Sequence, residues 1–223
     1  MSSSLSDSLR AGLDALGLEL DAARQDQLLA YLQLIAKWTR VYNLTAVRDP
    51  AEMLTHHLLD SLAVIAPLRR EVAALQEAGR AGARPTVLDV GSGAGLPGVV
   101  IAICCPDLQV SCVDTVAKKA TFIQQAALEL KLPNLRGVHA RVESLDTGWD
   151  VVVSRAFASL VDFTTWSRAA LKPGGVWMAL KGRQPDAEVA ALPPDVAVFH
   201  VEQIDVPGLD AQRCIVWLRP AAG

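Results

Sequence analysis

The first third of the chain has the hydrophobic spacing of helices. Large apolar residues recur at intervals of three and four over residues 28–38, which places them on one helical face that should end near Tyr42 and Asn43. A second helix is predicted around Met53–Leu62, followed by a helix and loop over 67–86. We therefore expect residues 1–66 to form a helical N-terminal extension of the fold.

From residue 86 onward the pattern changes to short β-branched runs. The runs occupy 87–90, 110–114, 138–141, 150–154, 176–180, 196–201 and 214–218, and helical stretches at 96–105, 116–130 and 160–171 separate several of them. This alternation predicts an α/β fold with a seven-stranded, mostly parallel sheet covered by helices on both faces. Only Pro207–Asp210 joins the last two runs, which favours an antiparallel pair at the end. Residues 67–223 should thus form a Rossmann-like core, and we expect this core and the extension to form one compact domain.

Composition and charge exclude several functional classes. The chain has 223 residues, 51% of them hydrophobic, and its 21 Lys and Arg against 24 Asp and Glu give a net charge of −3. Such a chain is too apolar for a disordered protein, and a polyanionic partner would have to meet a local basic patch. We expect a cytoplasmic protein, because neither a basic and apolar leader nor an apolar run of ~18 residues occurs. We also expect it to be a monomer.

Cysteine and histidine usage does not indicate a metal or a disulfide. The four cysteines show no CxxC spacing and lie in or near apolar runs, which predicts small buried side chains in a reducing compartment. No set of His, Cys and acidic residues has the spacing of metal ligands, so we expect no metal site.

The strongest local signal is a glycine-rich loop. The segment 87–98, VLDVGSGAGLPG, runs from a predicted strand through Gly91, Gly93 and Gly95 into a predicted helix. Glycines there let the backbone turn sharply and approach a ligand, and the following helix offers free N–H groups. The loop therefore predicts a nucleotide-containing ligand.

Two cofactors match such a loop. Residues 93–98 satisfy GxGxxG, which favours a nicotinamide dinucleotide. Asp89 favours a ligand with a cationic amino-acid part, because its carboxylate would repel a pyrophosphate. Asp114 does not discriminate, since it could accept hydrogen bonds from the ribose hydroxyls of either cofactor. The helix end, Pro-Gly-Gly and strand of residues 171–180 look like class I S-adenosylmethionine-dependent methyltransferases. This pattern makes S-adenosylmethionine the favoured cofactor over a dinucleotide.

Several further segments together resemble one family. They are YNLTAVRD at 42–49, HLLDS at 57–61, the loop at 89–98, RVE at 141–143, SRAFA at 154–158, ALKG at 179–182 and the late Arg213. From about Leu28 to Leu218 the chain is similar to the bacterial small-subunit ribosomal RNA guanine-N7 methyltransferases, also called glucose-inhibited division protein B. The resemblance implies methyl transfer from S-adenosylmethionine to N7 of one guanine in 16S ribosomal RNA of the small subunit or its assembly intermediate.

The residues that are absent agree with this chemistry. Guanine N7 carries an in-plane lone pair, so it needs no general base and catalysis can come from alignment and electrostatics. The chain lacks the Asn-Pro-Pro-Tyr loop of adenine amino-group methylation, and it lacks the Pro-Cys or Thr-Cys dipeptide of cytosine C5 methylation.

The resemblance also implies roles for individual residues. The cofactor would be held by the loop, by the end of the second strand and by the segment after the third: Gly91, Gly93, Gly95, Leu96, Asp114, Val142, Glu143 and Arg155. Catalytic roles fall to Arg155, Arg141, His57 and Asp60, with His57 and Asp60 in the acceptor pocket. Asn43, Arg141, Lys181 and Arg213 would bind RNA, and together with Arg155 the last three could form the basic patch.

Two points stay open at the level of sequence. Phe157 or Trp166 could stack on a guanine that leaves its own stack, although nothing in the spacing selects either. A methyltransferase for a small molecule or a protein would share the cofactor loop and need no basic residues near it, and a non-enzymatic regulator would bind the cofactor without turnover.

Overall fold

A computed structural model describes residues 2–157 and 159–221 of the chain. The N-terminal part is helical, as predicted: α1 Ser2–Ala15, α2 Ala22–Tyr42, α3 Pro50–Met53, a π-helical turn Leu54–Leu59, α4 Asp60–Leu62 and α5 Ile65–Glu77. The Asp21 side chain caps α2 by accepting from the Arg24 amide at 2.8 Å. Asn43 ends α2 in the left-handed conformation, with φ of 51°, where the hydrophobic spacing predicted its end.

The rest of the chain alternates strands and helices before ending in two strands. The strands are β1 Thr86–Val90, β2 Gln109–Asp114, β3 Leu135–His139, β4 Trp149–Arg155, β5 Leu171–Lys181, β6 Val196–Ile204 and β7 Arg213–Pro220. The helices are α6 Gly98–Cys104, α7 Ala117–Glu129, α8 Leu160–Trp166 and α9 Asp186–Ala190, with 3₁₀ turns at Val142–Ser144 and Arg168–Ala170.

The seven strands form one sheet in the order β3-β2-β1-β4-β5-β7-β6. The first five are parallel, and β7 runs antiparallel between β5 and β6, so the α/β fold and the antiparallel end are confirmed. The strand order reverses between β1 and β4. Ligands of open parallel sheets bind at the carboxyl ends of the strands at such a reversal, so the functional site is expected beside the ends of β1 and β4.

Two sequence predictions about the strands were wrong in detail. The third strand ends at His139, so Arg141 precedes a 3₁₀ turn and does not close the strand. The Pro-Gly-Gly of residues 173–175 is not a turn before the strand, because β5 already begins at Leu171. The ladder instead bulges there: Trp149 pairs with Leu171 but Val151 pairs with Val176, and Gly174 takes a φ of 81°.

The hydrophobic core connects the two parts of the chain. One cluster contains buried residues of α1, α2 and α5 together with residues from one face of the sheet, among them Leu9, Leu28, Leu68, Val87 and Ile215. The boundary predicted at residue 66 stays a prediction, since this packing is continuous across it. The four cysteines are buried and unpaired, as expected for small apolar side chains.

Neither a membrane helix nor a metal cluster is found in the part of the chain that the structure describes. No helix there combines the length and the apolar character that crossing a bilayer requires. No three His, Cys, Asp or Glu side chains there are placed to hold a metal ion.

Candidate functional site

The glycine loop joins β1 to α6 and is held by β2. Gly91, Gly93 and Gly95 have φ values of 67°, 59° and 85°, which side chains other than glycine rarely adopt. The Gly91 amide donates to the Val113 carbonyl at 2.9 Å, and the Gly93 amide donates to Asp114 Oδ2 at 3.0 Å. Asp114 Oδ1 accepts from the Val116 amide at 2.9 Å, so this carboxylate is already oriented. Each oxygen keeps a second lone pair for a ligand hydroxyl.

Asp89 lies beneath the same loop and is fully buried. Its Oδ2 accepts from the Gly98 amide at the start of α6 at 2.8 Å, and Oδ1 has no hydrogen-bond partner among the described residues. Burial raises the pKa of Asp89 to about 7, although the Gly98 bond opposes this shift. A Cβ at Gly98 would collide with Cys112 Sγ and lie 2.9 Å from Asp89 Oδ2, so the contact requires glycine. Asp89 thus supports the loop from below, a role that the sequence did not predict.

Tyr31 reaches the loop from the helical extension. Its phenol donates to the Ala94 carbonyl at 2.6 Å, and its ring is fully buried. A Cβ at Gly95 would lie 3.3 Å from the same phenol oxygen. Sequence reasoning assigned Tyr31 only to the apolar face of α2 and missed this contact. The hydroxyl group of a tyrosine on an otherwise apolar face was the available signal, because a buried phenol needs a partner.

Replacing Tyr31 with Phe should weaken cofactor binding. The variant removes the donor and leaves the Ala94 carbonyl buried without it, which costs about 1–3 kcal/mol. We expect the free energy of unfolding to fall by that amount, and the KM for S-adenosylmethionine to rise about ten-fold as the loop loosens. Denaturant unfolding and initial rates measure the two effects. Tyr42→Phe, which alters a half-exposed phenol, should unfold like the wild type, and an unchanged KM in Tyr31→Phe would contradict the positioning role.

A first cavity of about 430 Å³ opens beside the loop at the carboxyl ends of β1 and β2. Its lining brings together four predicted cofactor residues, Gly91, Asp114, Val142 and Glu143, and also contains Arg141, Phe157 and Trp166. The volume lies in the range of small-ligand sites. Glu143 points a half-exposed carboxylate into a pair with Arg141 at 3.1 Å. Its pKa is lowered by a hydrogen bond from its own backbone amide and by Arg141, so Glu143 is an anion at neutral pH.

A second cavity of about 400 Å³ lies at the ends of β4, β5 and β7, and Asp60 organises it. Asp60 is buried; its Oδ2 accepts from Arg155 Nη1 at 2.9 Å and its Oδ1 from Arg213 Nε at 2.8 Å. Arg155 also donates to the His56 carbonyl at 3.1 Å. One carboxylate therefore fixes two guanidiniums and leaves several of their N–H groups free for a ligand. A larger groove of about 870 Å³, lined by residues 181–188 and 211–213, adjoins it.

His57 is part of the same cavity and is buried. Its Nε2 lies 2.9 Å from Thr45 Oγ1, and Nδ1 has no partner among the described residues. Burial and the nearby Arg155 lower the pKa of His57, so the ring is neutral at physiological pH. Thr45 is a second contact that the sequence did not reveal, although it lies within the YNLTAVRD segment.

Three cations of the predicted basic patch, Arg155, Lys181 and Arg213, line the second cavity, and the fourth lies elsewhere. Arg141 lines the first cavity and follows β3. In the sheet, β3 lies four positions away from β5, the strand that carries Lys181. Lys181 Nζ is bound to both oxygens of Glu188, at 2.7 and 3.0 Å. All four cations of the predicted patch, including Arg155 and Arg213, are thus paired with carboxylates, in an exposed pair for Arg141 and in partly buried pairs for the other three.

Comparison with known proteins agrees with this geometry. The sequence profile of a family described as rRNA small subunit methyltransferase G matches residues 24–216. The chain is 65% identical to the ribosomal RNA small subunit methyltransferase G of Acidovorax ebreus (strain TPSY) over 98% of this chain and 97% of that protein. It is 68% identical to the protein of that name from Polaromonas sp. (strain JS666 / ATCC BAA-500) over 95% and 92%.

The chain belongs to the rRNA small subunit methyltransferase G family. This confirms the resemblance drawn from the sequence. Solved structures resemble this family member in fold alone: TrmN from Thermus thermophilus has a TM-score of 0.51 at 24% identity, covering 67% of this chain and 47% of that one. A SAM-dependent methyltransferase from Aquifex aeolicus has a TM-score of 0.50 at 17% identity, covering 76% and 93%.

Two further predicted site residues of this rRNA small subunit methyltransferase G family member, Leu96 and Asn43, line neither of the two cavities. Leu96 is buried in the core and Asn43 caps α2, where its Oδ1 accepts from Arg48 at 3.0 Å. Phe157 and Trp166 pack edge to face at 5.5 Å on the first cavity, beside the cofactor residues and not beside Asp60. Stacking of either ring on the acceptor guanine therefore has no support from their placement. Ala158, from the SRAFA segment, lies outside the described residues.

Proposed function

We propose that this protein transfers a methyl group from S-adenosylmethionine to N7 of one guanine in 16S ribosomal RNA, with the small subunit or its assembly intermediate as substrate. The observation that supports it best is the pair of cavities at neighbouring strand ends in a chain of this family. One holds the carboxylates Asp114 and Glu143, and the other holds two arginines fixed by Asp60. We further propose that the protein acts as a monomer in the cytoplasm.

The first cavity suits S-adenosylmethionine. Asp114 is oriented by the Gly93 and Val116 amides and can accept from ribose hydroxyls, while Val142 and Glu143 can meet the adenine. Asp89 has an unpartnered buried oxygen below the glycine loop, so a polar ligand group that hydrogen-bonds to it would relieve a cost already present. When bound, the cofactor supplies a methyl group on a positively charged sulfur.

The second cavity suits a guanine and its flanking phosphate. The N7 lone pair forms the new bond to the methyl carbon while the carbon–sulfur pair leaves with sulfur, so positive charge moves onto the ring and no proton has to be removed first. Arg155 and Arg213 can donate to the guanine O6 or to a phosphate, which orients N7. Asp60 offsets part of their charge, and the neutral His57 adds none, which favours a base that becomes cationic.

Methyl transfer to small-subunit RNA tests the proposal directly. Labelled S-adenosylmethionine would be incubated with small ribosomal subunits and with free 16S rRNA, both from cells lacking the gene. Digestion and mass spectrometry of nucleosides should then find one labelled N7-methylguanosine. Label on another nucleoside would contradict the acceptor atom, and no label on either RNA would contradict the proposed substrate.

Arg155→Lys should lower kcat/KM for RNA by about 100-fold. Lysine keeps the charge, but Asp60 and the His56 carbonyl, which Arg155 binds through Nη1 alone, would engage its single ammonium group, so no second nitrogen would remain to align the acceptor. Rates at saturating S-adenosylmethionine measure the effect. Arg168→Lys, at an exposed pair with Asp195, is the matched control and should match the wild type. Equal rates in both variants would exclude Arg155 from the acceptor site.

A further inference from the structure

Four cations that have no carboxylate partner in the described part of the chain lie outside both cavities, on α2, just after it and on α7. Lys37 and Arg40 of α2 and Lys118 of α7 are exposed, and among the described residues no carboxylate lies within ion-pair distance of any of them. Arg48, just after α2, is exposed and is bound only to the neutral Asn43. These residues contrast with the four cavity cations, each of which is compensated by a carboxylate.

Packing brings together the two helices that carry three of these cations. Trp38 of α2 lies edge to face on Phe122 of α7, with ring centroids 5.3 Å apart, so the end of α2 meets the beginning of α7. That end of α7 follows β2 and therefore lies at the carboxyl edge of the sheet, where both cavities open. The loop after α2 continues to Thr45, which contacts His57 of the second cavity. We call the exposed residues around this junction, Lys37, Arg40, Tyr42, Arg48 and Lys118, the α2–α7 surface. Helical spacing places Lys37 and Arg40 on the solvent side of α2 and Tyr42 on the side of Trp38, so this surface curves around the end of the helix.

The α2–α7 surface has the chemistry of a single-stranded nucleic-acid platform. No acidic residue occurs between Asp26 and Asp49, nor between Asp114 and Glu129, so positive charge is not diluted within either segment. Tyr42 is 41% exposed, and its ring packs on Trp38 at 5.0 Å, which holds it in place. Such platforms combine cations that bind the phosphates with exposed aromatic rings that stack on the bases. A protein partner would be expected to need acidic groups of its own to meet this surface.

We propose that the α2–α7 surface binds the single-stranded RNA that flanks the target guanine, with Lys37 and Arg40 on phosphates and Tyr42 stacked on a base. This inference rests on the proposed function, since it names where that substrate docks. It assigns RNA affinity to the helical extension and not to the arginines of the cavity, which hold the base after docking.

Filter binding of 16S rRNA to the full chain, in the presence of S-adenosylhomocysteine, tests the proposal without requiring turnover. In Lys37→Gln/Arg40→Gln the affinity should fall at least ten-fold near physiological salt, and the slope of log K against log salt should become shallower by about 1.4, the value for two single-strand phosphate contacts. Tyr42→Leu should lower the affinity about ten-fold without changing the slope. Arg80→Gln/Arg84→Gln removes two exposed cations before β1, at the opposite edge of the sheet, and should bind like the wild type.

The outcomes separate this inference from the proposed function. Wild-type slope and affinity in Lys37→Gln/Arg40→Gln would overturn the inference while leaving methyl transfer intact. Equal losses in the Arg80 and Arg84 control would also overturn it, because the effect would then be one of net charge. A loss seen with assembled subunits but not with naked rRNA would assign the surface to a ribosomal protein, against the proposal. A wild type that binds RNA but yields no N7-methylguanosine would contradict the proposed function alone.

Discussion

Asp60→Asn should lower the rate of methyl transfer at least 100-fold and destabilise the fold. The carboxylate is the shared partner of Arg155 and Arg213, so an amide would leave two guanidiniums without their counter-charge. Breaking a buried pair costs about 3–5 kcal/mol, and the arginine side chains are about a quarter exposed, which reduces the expected loss to about 2 kcal/mol. Because both guanidiniums would turn away from the acceptor base, activity should fall more than stability does.

Two measurements separate the local effect from unfolding. At a temperature where Asp60→Asn remains folded, kcat/KM for RNA should fall while the KM for S-adenosylmethionine stays near that of the wild type. Asp195→Asn breaks an exposed pair with Arg168 and should cost no more than about 0.5 kcal/mol. If Asp60→Asn lost cofactor affinity in proportion to RNA turnover, the idea that it positions only the acceptor side would be refuted.

Asp89→Asn should remove a pH dependence of stability. Burial raises the pKa of Asp89 from 3.8 to about 7, so between those values the folded chain holds a proton that the unfolded chain has released. The contribution of this group to the free energy of unfolding is therefore complete below about pH 4 and is lost as the pH rises through about 7. Asparagine cannot ionise and still offers a carbonyl to the Gly98 amide. Relative to the wild type, the variant should gain stability with rising pH, by on the order of 4 kcal/mol at most.

Urea unfolding of wild type and Asp89→Asn at pH 5 and pH 8 gives the relevant difference. The gain in stability from the substitution should be clearly larger at pH 8. Asp7→Asn, at an exposed position in α1, should show the same small effect at both values. A gain for Asp89→Asn that does not change with pH would show that the folded chain does not keep Asp89 protonated.

The local sequence pattern was enough to predict the helices and strands of this fold. It was not enough to predict which distant side chains contact each other. The end of α2 at Asn43, the parallel strands and the glycine loop follow from spacing and turn chemistry that each segment carries by itself. Asp60 binds Arg155, which is 95 positions away in the sequence, and Arg213, which is 153 positions away. The hydrogen bond between Tyr31 and Ala94 spans 63 positions. No periodicity encodes such distances, so the sequence could name Asp60, Arg155 and Arg213 only through resemblance.

Charge pairing was the other property that composition could not predict. Lys181 and Arg141 looked available for phosphates because each lies at or near the end of a predicted strand. Their partners, Glu188 and Glu143, are only seven and two residues away, yet the pairing depends on how the turns between them fold. Cations that remain free, such as Lys37 and Arg40, lie instead in the stretch between Asp26 and Asp49, which contains no acidic residue.

The bond between Tyr31 and Ala94 has a thermodynamic consequence. One rigid helix contacts the glycine loop through Tyr31 and carries Lys37 and Arg40 less than three turns further along. If binding of cofactor or RNA at one of these positions shifts α2, the other position moves with the helix. Linkage then requires reciprocity: the factor by which RNA changes the affinity for the cofactor must equal the factor by which the cofactor changes the affinity for RNA. In Tyr31→Phe, which lacks the phenol hydroxyl, both factors should move towards one by the same amount, so that RNA and cofactor bind more nearly independently.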